Sequence, residues 1–152
     1  GTLHDVHFPG FSLMGRGATC APSTRQEIMQ MDAAMSCVAA IQEMLLHVRQ
    51  GVTYLFRGAP TRWQRTGFTG MRTDGAFLVS ARRTGGRVGP VQVESLAGGR
   101  FRLANPWDSD AVVRRRTGAA EAVSGQVLEV AAAPGEVFQI APRRPGNRRA
   151  PA

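Results

Sequence analysis

The run Ala76-Phe77-Leu78-Val79-Ser80-Ala81, followed after an Arg- and Gly-rich interval by Pro90-Val91-Gln92-Val93-Glu94-Ser95, decides the fold class of this chain. Phe77, Val79 and Ala81 alternate with more polar neighbours, as Val91 does with Val93. Alternate side chains of an extended backbone point to opposite faces, so each run reads as a strand with one face in a core. Gly85-Gly86 marks a turn between them, and Ala97-Gly98-Gly99 turns into Arg100-Phe101-Arg102-Leu103. Further strands are expected at Ala111–Arg115, Gln126–Ala131 and Glu136–Ile140, the last two joined by Ala132-Ala133-Pro134-Gly135. Short strands separated by turns predict an antiparallel sandwich rather than alternating strands and helices.

Upstream of Gly58-Ala59-Pro60 the pattern changes. Ala33, Met35, Val38, Ile41, Leu45 and Val48 follow the i, i+3/i+4 spacing of one helical face, which predicts a helix from about Ala33 to Arg49. Asp32 suits the N-cap, Arg49 complements the dipole at the other end, and Gly51 supplies the stop. Ala34, Cys37, Ala39 and Ala40 make the first half apolar nearly all round, so this helix needs burial on several sides. The first thirty residues offer no second strong helical period to meet that need. The expectation is therefore an α+β fragment of three parts: residues 1–58 as the end of a larger helical domain, 59–142 as a β-sandwich, and 143–152 as a disordered Arg/Pro tail.

The chain has 152 residues, 43% hydrophobic and 20% charged, values that permit one packed core. It contains no apolar stretch long enough to span a bilayer, and no membrane partner is expected. The net charge is +8, and all 19 basic residues are arginine. Four of them, Arg143, Arg144, Arg148 and Arg149, lie in the terminal segment, so the body is only mildly basic. With the remaining arginines scattered and few aromatics among them, nucleic acid is not the expected partner. Any salt-dependent affinity driven by the tail alone would vanish on deleting Arg143 to Ala152.

Candidate chemistry is sparse. Cys20 and Cys37 belong to no CxxC pair and read as buried free thiols. His4 and His7 flank Asp5 but lack a third ligand nearby, and His47 falls on the expected helix, so no metal or other cofactor is expected. Asp32, walled by Met29, Met31 and Met35, is the one titratable residue inside a strongly apolar segment. It can cap the helix, or serve as or orient a general base of the kind glycosidase chemistry uses. Glu43 reads as a solvated or salt-bridged position on the polar side of the helix. Trp63, Trp107, Tyr54 and Phe56 can stack on sugar faces or pack the core.

A resemblance carries the reading further. Met29-Gln30-Met31-Asp32-Ala33-Ala34-Met35-Ser36, continuing through Ile41-Gln42-Glu43-Met44-Leu45-Leu46 to Gly51-Val52-Thr53-Tyr54-Leu55-Phe56 and Pro60, resembles the end of the catalytic domain of glycoside hydrolase family 95. Trp63, Phe68-Thr69-Gly70-Met71-Arg72, Gly75 to Ala81, Gly98-Gly99 and Asn105-Pro106-Trp107 are similar to the family's C-terminal module. The resemblance runs from about Glu27 to Ile140.

It implies the terminal helix of an (α/α)6 barrel, a short strand, and then the C-terminal sandwich. It also implies an inverting exo-α-L-fucosidase acting on terminal L-fucose or a related sugar. Asp32 matches the acidic residue at the active centre, whereas the family's general-acid Glu and base-forming Asn residues have no match in this chain. Where the family has Gly-Asn and then Phe-Gly, this sequence has Ala33-Ala34 and Met35-Ser36, which leaves the glycoside open. The partner implied is a carbohydrate, met through a longer parent enzyme for which a secreted or periplasmic place is plausible though the sequence leaves the compartment open, and the isolated fragment is expected to be inactive. An autonomous carbohydrate-binding or structural module is the competing reading. It expects a self-sufficient core and a solvent-exposed Trp63 or Trp107, where the hydrolase fragment expects exposed apolar surface around Val38 and Leu45.

Overall fold

The structure, a computed structural model, describes residues 31–143. The tail beyond Arg143, the His4-Asp5-His7 segment, Cys20 and Met29 lie outside the described residues. The chain divides into two compact units, one ending at Gln42 and the other beginning at Glu43. The described part of the first unit belongs to helix α1 (Met31–Leu45), whose last turn lies in the second.

The second unit is a β-sandwich. One sheet has the order β1 (Leu46–Arg49), β2 (Val52–Leu55), β7 (Gly99–Ala104), β10 (Val127–Ala132). The other has the order β3 (Arg65–Thr73), β4 (Phe77–Thr84), β6 (Val91–Ser95), β11 (Val137–Pro142), β8 (Ala111–Arg115), β9 (Glu121–Val123), with β5 (Arg87–Val88) beside β4. All pairs are antiparallel except β2 with β7, which run parallel through Thr53 and Leu103.

The alternation of the deciding stretch holds in detail. Phe77, Val79 and Ala81 on β4 and Val91 and Val93 on β6 are buried, as are Phe101, Leu103, Leu128, Val113 and Ile140 on their strands. Phe77 meets Phe101 at 5.2 Å and Phe101 meets Phe138 at 6.2 Å between ring centroids, so aromatic contact joins the two sheets. Each such ring contributes about 1.5–3 kcal/mol by leaving water. Polar contact crosses as well, through the buried hydroxyls of Thr53 and Thr73, 3.0 Å apart.

Three expectations are corrected. The helix ends at Leu45, not Arg49, and Leu46–Arg49 forms β1, which pairs with β2 across the two-residue turn Gln50-Gly51. Both turn residues have positive φ (53° and 71°), the geometry that closes a tight hairpin. Val48 satisfies the helical spacing from Leu45 and equally the period-two spacing from Leu46, which is why the pattern ran on. Arg49 and His47 therefore sit on a strand, the last helical turn holds no basic residue, and Gly51 closes a hairpin rather than stopping a helix. Asp32 lies within the helix, not ahead of it. Thirdly, the Ala97-Gly98-Gly99 turn makes no hairpin: β6 and β7 belong to different sheets, and the turn carries the chain across.

Two crossings lie side by side at this end of the sandwich. A side chain on Gly98 would meet the Pro134 ring at 2.9 Å, and buried Ser95 holds both segments, taking the Gly135 amide on its carbonyl and the Gly98 amide on its hydroxyl. At the opposite end Asn105 does similar work. Its Nδ2 donates to the carbonyls of Ser109 (3.1 Å) and Gly125 (3.0 Å), while its Oδ1 accepts from the Trp107 amide.

Candidate functional site

Asp32 is held in the first turn of α1, and its side chain is outside the description. Further along the helix Met35, Val38 and Ile41 are 60%, 51% and 48% exposed, so the apolar face read from the spacing is open. Cys37 is a free, half-buried thiol. Among the described residues no group of three His, Cys, Asp or Glu side chains stands close enough to bind a metal ion.

The candidate sugar-stacking aromatics do not converge. Phe56 is buried against Phe68 at 5.4 Å. Trp107 is half-buried, its indole N–H donating to the Val88 carbonyl at 2.8 Å, and Trp63 is half-buried against the core. These three are packing groups. Tyr54 differs: paired with His47 across the β1–β2 hairpin, it stacks on that ring at 5.0 Å and 8°, with the Arg57 guanidinium 4.9 Å from its centroid. Its ring is thus flanked by an imidazole and a cation.

A residue that the sequence reading passed over organises the loop between the sheets. Arg83 follows Phe77, Val79 and Ala81 in the inward register of β4 and is buried with them. Its guanidinium donates to the carbonyls of Ala59 (3.3 Å), Pro60 (2.8 Å) and Trp63 (3.4 Å) and sits 5.8 Å from the Phe56 ring centre. Three carbonyl dipoles and a ring face thus replace the water this charge gave up, with Nε left unbonded. The signal was present in the alternation, which places an arginine at a core position.

The ion pairs are structural. Arg115 binds Glu121 and Glu136, each at 2.8 Å, and also donates to the Ala131 carbonyl. Glu129 on β10 accepts from Arg100 and Arg102 on neighbouring β7, each at 3.0 Å. The Arg100 bond leads, and with the Arg102 bond and the charge of both guanidiniums it outweighs the opposing desolvation and holds the Glu129 carboxyl below its ordinary value of 4.5.

On the larger sheet the outward positions carry a different pattern. Arg65 and Arg72 on β3, Arg82 on β4, Arg87 on β5 and Arg114 on β8 all point away from the core, by register with Thr84, Leu78, Gly67 and Gln139. All five are exposed, and none of their side chains forms a hydrogen bond or ion pair with a described residue. Arg65, Thr66, Gly67, Thr69, Arg82 and Thr84 line an open depression of about 370 Å³ at the β3–β4 end. A Cβ at Gly67 would stand 3.0 Å from both the Ala81 carbonyl oxygen and the Arg82 Cγ, a tight approach that favours glycine there.

The sequence matches no protein-family model, and no curated protein matches it.

Proposed function

We propose that this chain is the C-terminal portion of a glycoside hydrolase resembling family 95. In this reading α1 is the terminal helix of an (α/α)6 barrel, Asp32 is the active-centre carboxylate, and the sandwich is a structural domain. The substrate is a terminal α-L-fucoside or related glycoside, reached through the parent enzyme. The observation that carries the reading is the open apolar face of α1. Met35, Val38 and Ile41 at roughly half exposure are what a helix shows when its neighbours are absent. The sandwich fits a supporting role: its phenylalanines and tryptophans named above pack on its own core, and its paired carboxylates are neutralised by arginines.

Inversion needs an acid and a base on opposite sides of the sugar. Asp32 is the one candidate matched here, so the 152 residues alone are expected to be silent. The test is hydrolysis of a panel of α-L-fucosides and α-L-galactosides by the chain at its full encoded length, wild type beside Asp32→Asn. Turnover abolished by the substitution at unchanged melting temperature supports the reading; a change in stability alone makes Asp32 a helix-start residue and removes it.

An autonomous carbohydrate-binding or structural module is the second reading, favoured by the self-contained core of the second unit. Its other expectation fares less well, because both tryptophans are half-buried and Trp107 has its N–H satisfied within the fold.

A further inference from the structure

We propose that the outer face of the larger sheet binds an acidic polysaccharide, a glycan bearing sulfate or carboxylate groups, through its unpaired arginines. Strand register brings Arg65, Arg72, Arg82, Arg87 and Arg114 to one face, where Glu94 is the single outward carboxylate among the paired positions. Among the described residues no neighbouring side chain neutralises these cations, in contrast to Arg100, Arg102 and Arg115. A surface of one sign with no internal partners attracts a polyanion, and guanidinium groups suit planar carboxylate and sulfate oxygens.

Two features select a glycan over other polyanions. The row Ser80–Gln92–Gln139–Arg114 runs straight across β4, β6, β11 and β8, a span of about 14 Å at ordinary strand spacing, and offers hydroxyl and amide groups that match sugar hydroxyls. No aromatic side chain occupies an outward position on β4, β6, β8 or β11, so the stacking on which single-stranded nucleic acids depend has no platform. The depression beside Arg65 and Arg82 adds a concave element, with Thr69 and Thr84 as further polar groups; Phe68, which also lines it, packs on Phe56. This binding does not depend on Asp32 or on hydrolysis, and it stands or falls separately from the proposed activity.

The experiment measures binding of the 152-residue chain to immobilised heparin and polygalacturonate over a range of salt, with oligothymidylate and anionic phospholipid vesicles as competing probes. Arg65→Gln/Arg82→Gln is compared with Arg49→Gln/Arg100→Gln, which removes the same charge from the other sheet. The first pair is expected to weaken glycan binding about tenfold and to lower the salt slope by about one per arginine, while the second changes affinity no more than about twofold. Should the first pair melt early, the exposed pair Arg72→Gln/Arg114→Gln serves instead, with a smaller loss in the same direction. Equal weakening by both sheets' variants, tighter binding of oligothymidylate or vesicles than of either glycan at the same salt, or no glycan binding at all overturns the proposal.

Discussion

Helix α1 and the sandwich are both rich in apolar residues, yet the same chemistry ends in opposite environments. On the strands, period two delivers each apolar side chain to an interior shared by two sheets, and Val79, Val91, Val93, Leu103 and Ile140 are wholly buried. On the helix, the 3.6-residue period delivers Met35, Val38 and Ile41 to a face that stays open. Periodicity specifies which side of an element must be covered; coverage itself depends on a second element with a matching face. The sandwich contains its own partners.

The contrast can be broken most severely from the sandwich side. Phe101→Ala, at the centre of the aromatic contact between the sheets, is expected to lower stability by about 3–5 kcal/mol in urea unfolding. Arg83→Met keeps an unbranched stem at this buried position but removes the guanidinium, stranding the Ala59, Pro60 and Trp63 carbonyls. A loss of about 1–3 kcal/mol is expected, accompanied by a change in Trp63 fluorescence. Asn105→Ala removes one side chain bonded to two crossings, and about 1–2 kcal/mol should go with it, read as a lower thermal midpoint.

Smaller effects sharpen the comparison. Because the folded Glu129 carboxyl lies below its ordinary 4.5, its ion pairs contribute stability above that value and lose it as pH falls through the depressed one. The stability gap between wild type and Glu129→Gln is therefore expected to be small, present near neutrality and closed in acid, as acid-titrated melts will report. Val38→Ser, on the open helical face, should leave the midpoint of the 152-residue chain within about 0.5 kcal/mol of wild type. A large loss would mean that this face is covered in solution.

Most of the sandwich was legible. Strands expected at residues 76–81, 90–95, 100–103, 111–115, 126–131 and 136–140 all exist, because each had alternating apolar residues between turn signals. β3 escaped notice: its inward residues include Thr66, Met71 and Thr73, and its register breaks at a bulge between Phe68 and Met71, where the Gly70 amide turns to the Ser80 hydroxyl. β1 was hidden by a spacing that suits helix and strand alike. Sheet membership was not legible either, since a glycine-rich turn looks the same whether it closes a hairpin or crosses between layers. For the candidate sites the limits were similar. Asp32 stood out by its apolar surroundings, whereas five arginines that look scattered along the chain share one face only once strand order is known.

The two crossings at each end of the β7–β10 pair bear on where this backbone can be opened. Strands β7 and β10 each enter from and leave to the opposite sheet, so a cut in any of those four connections removes a covalent link between the layers. The β8–β9 connection is different: both strands lie in one sheet, the residues between them are exposed, and Gly118 sits at its tip. New termini or an inserted reporter domain placed at Gly118 would leave every interlayer connection intact. That makes it the natural seam for circular permutation or for a split-fragment reassembly assay of this sandwich.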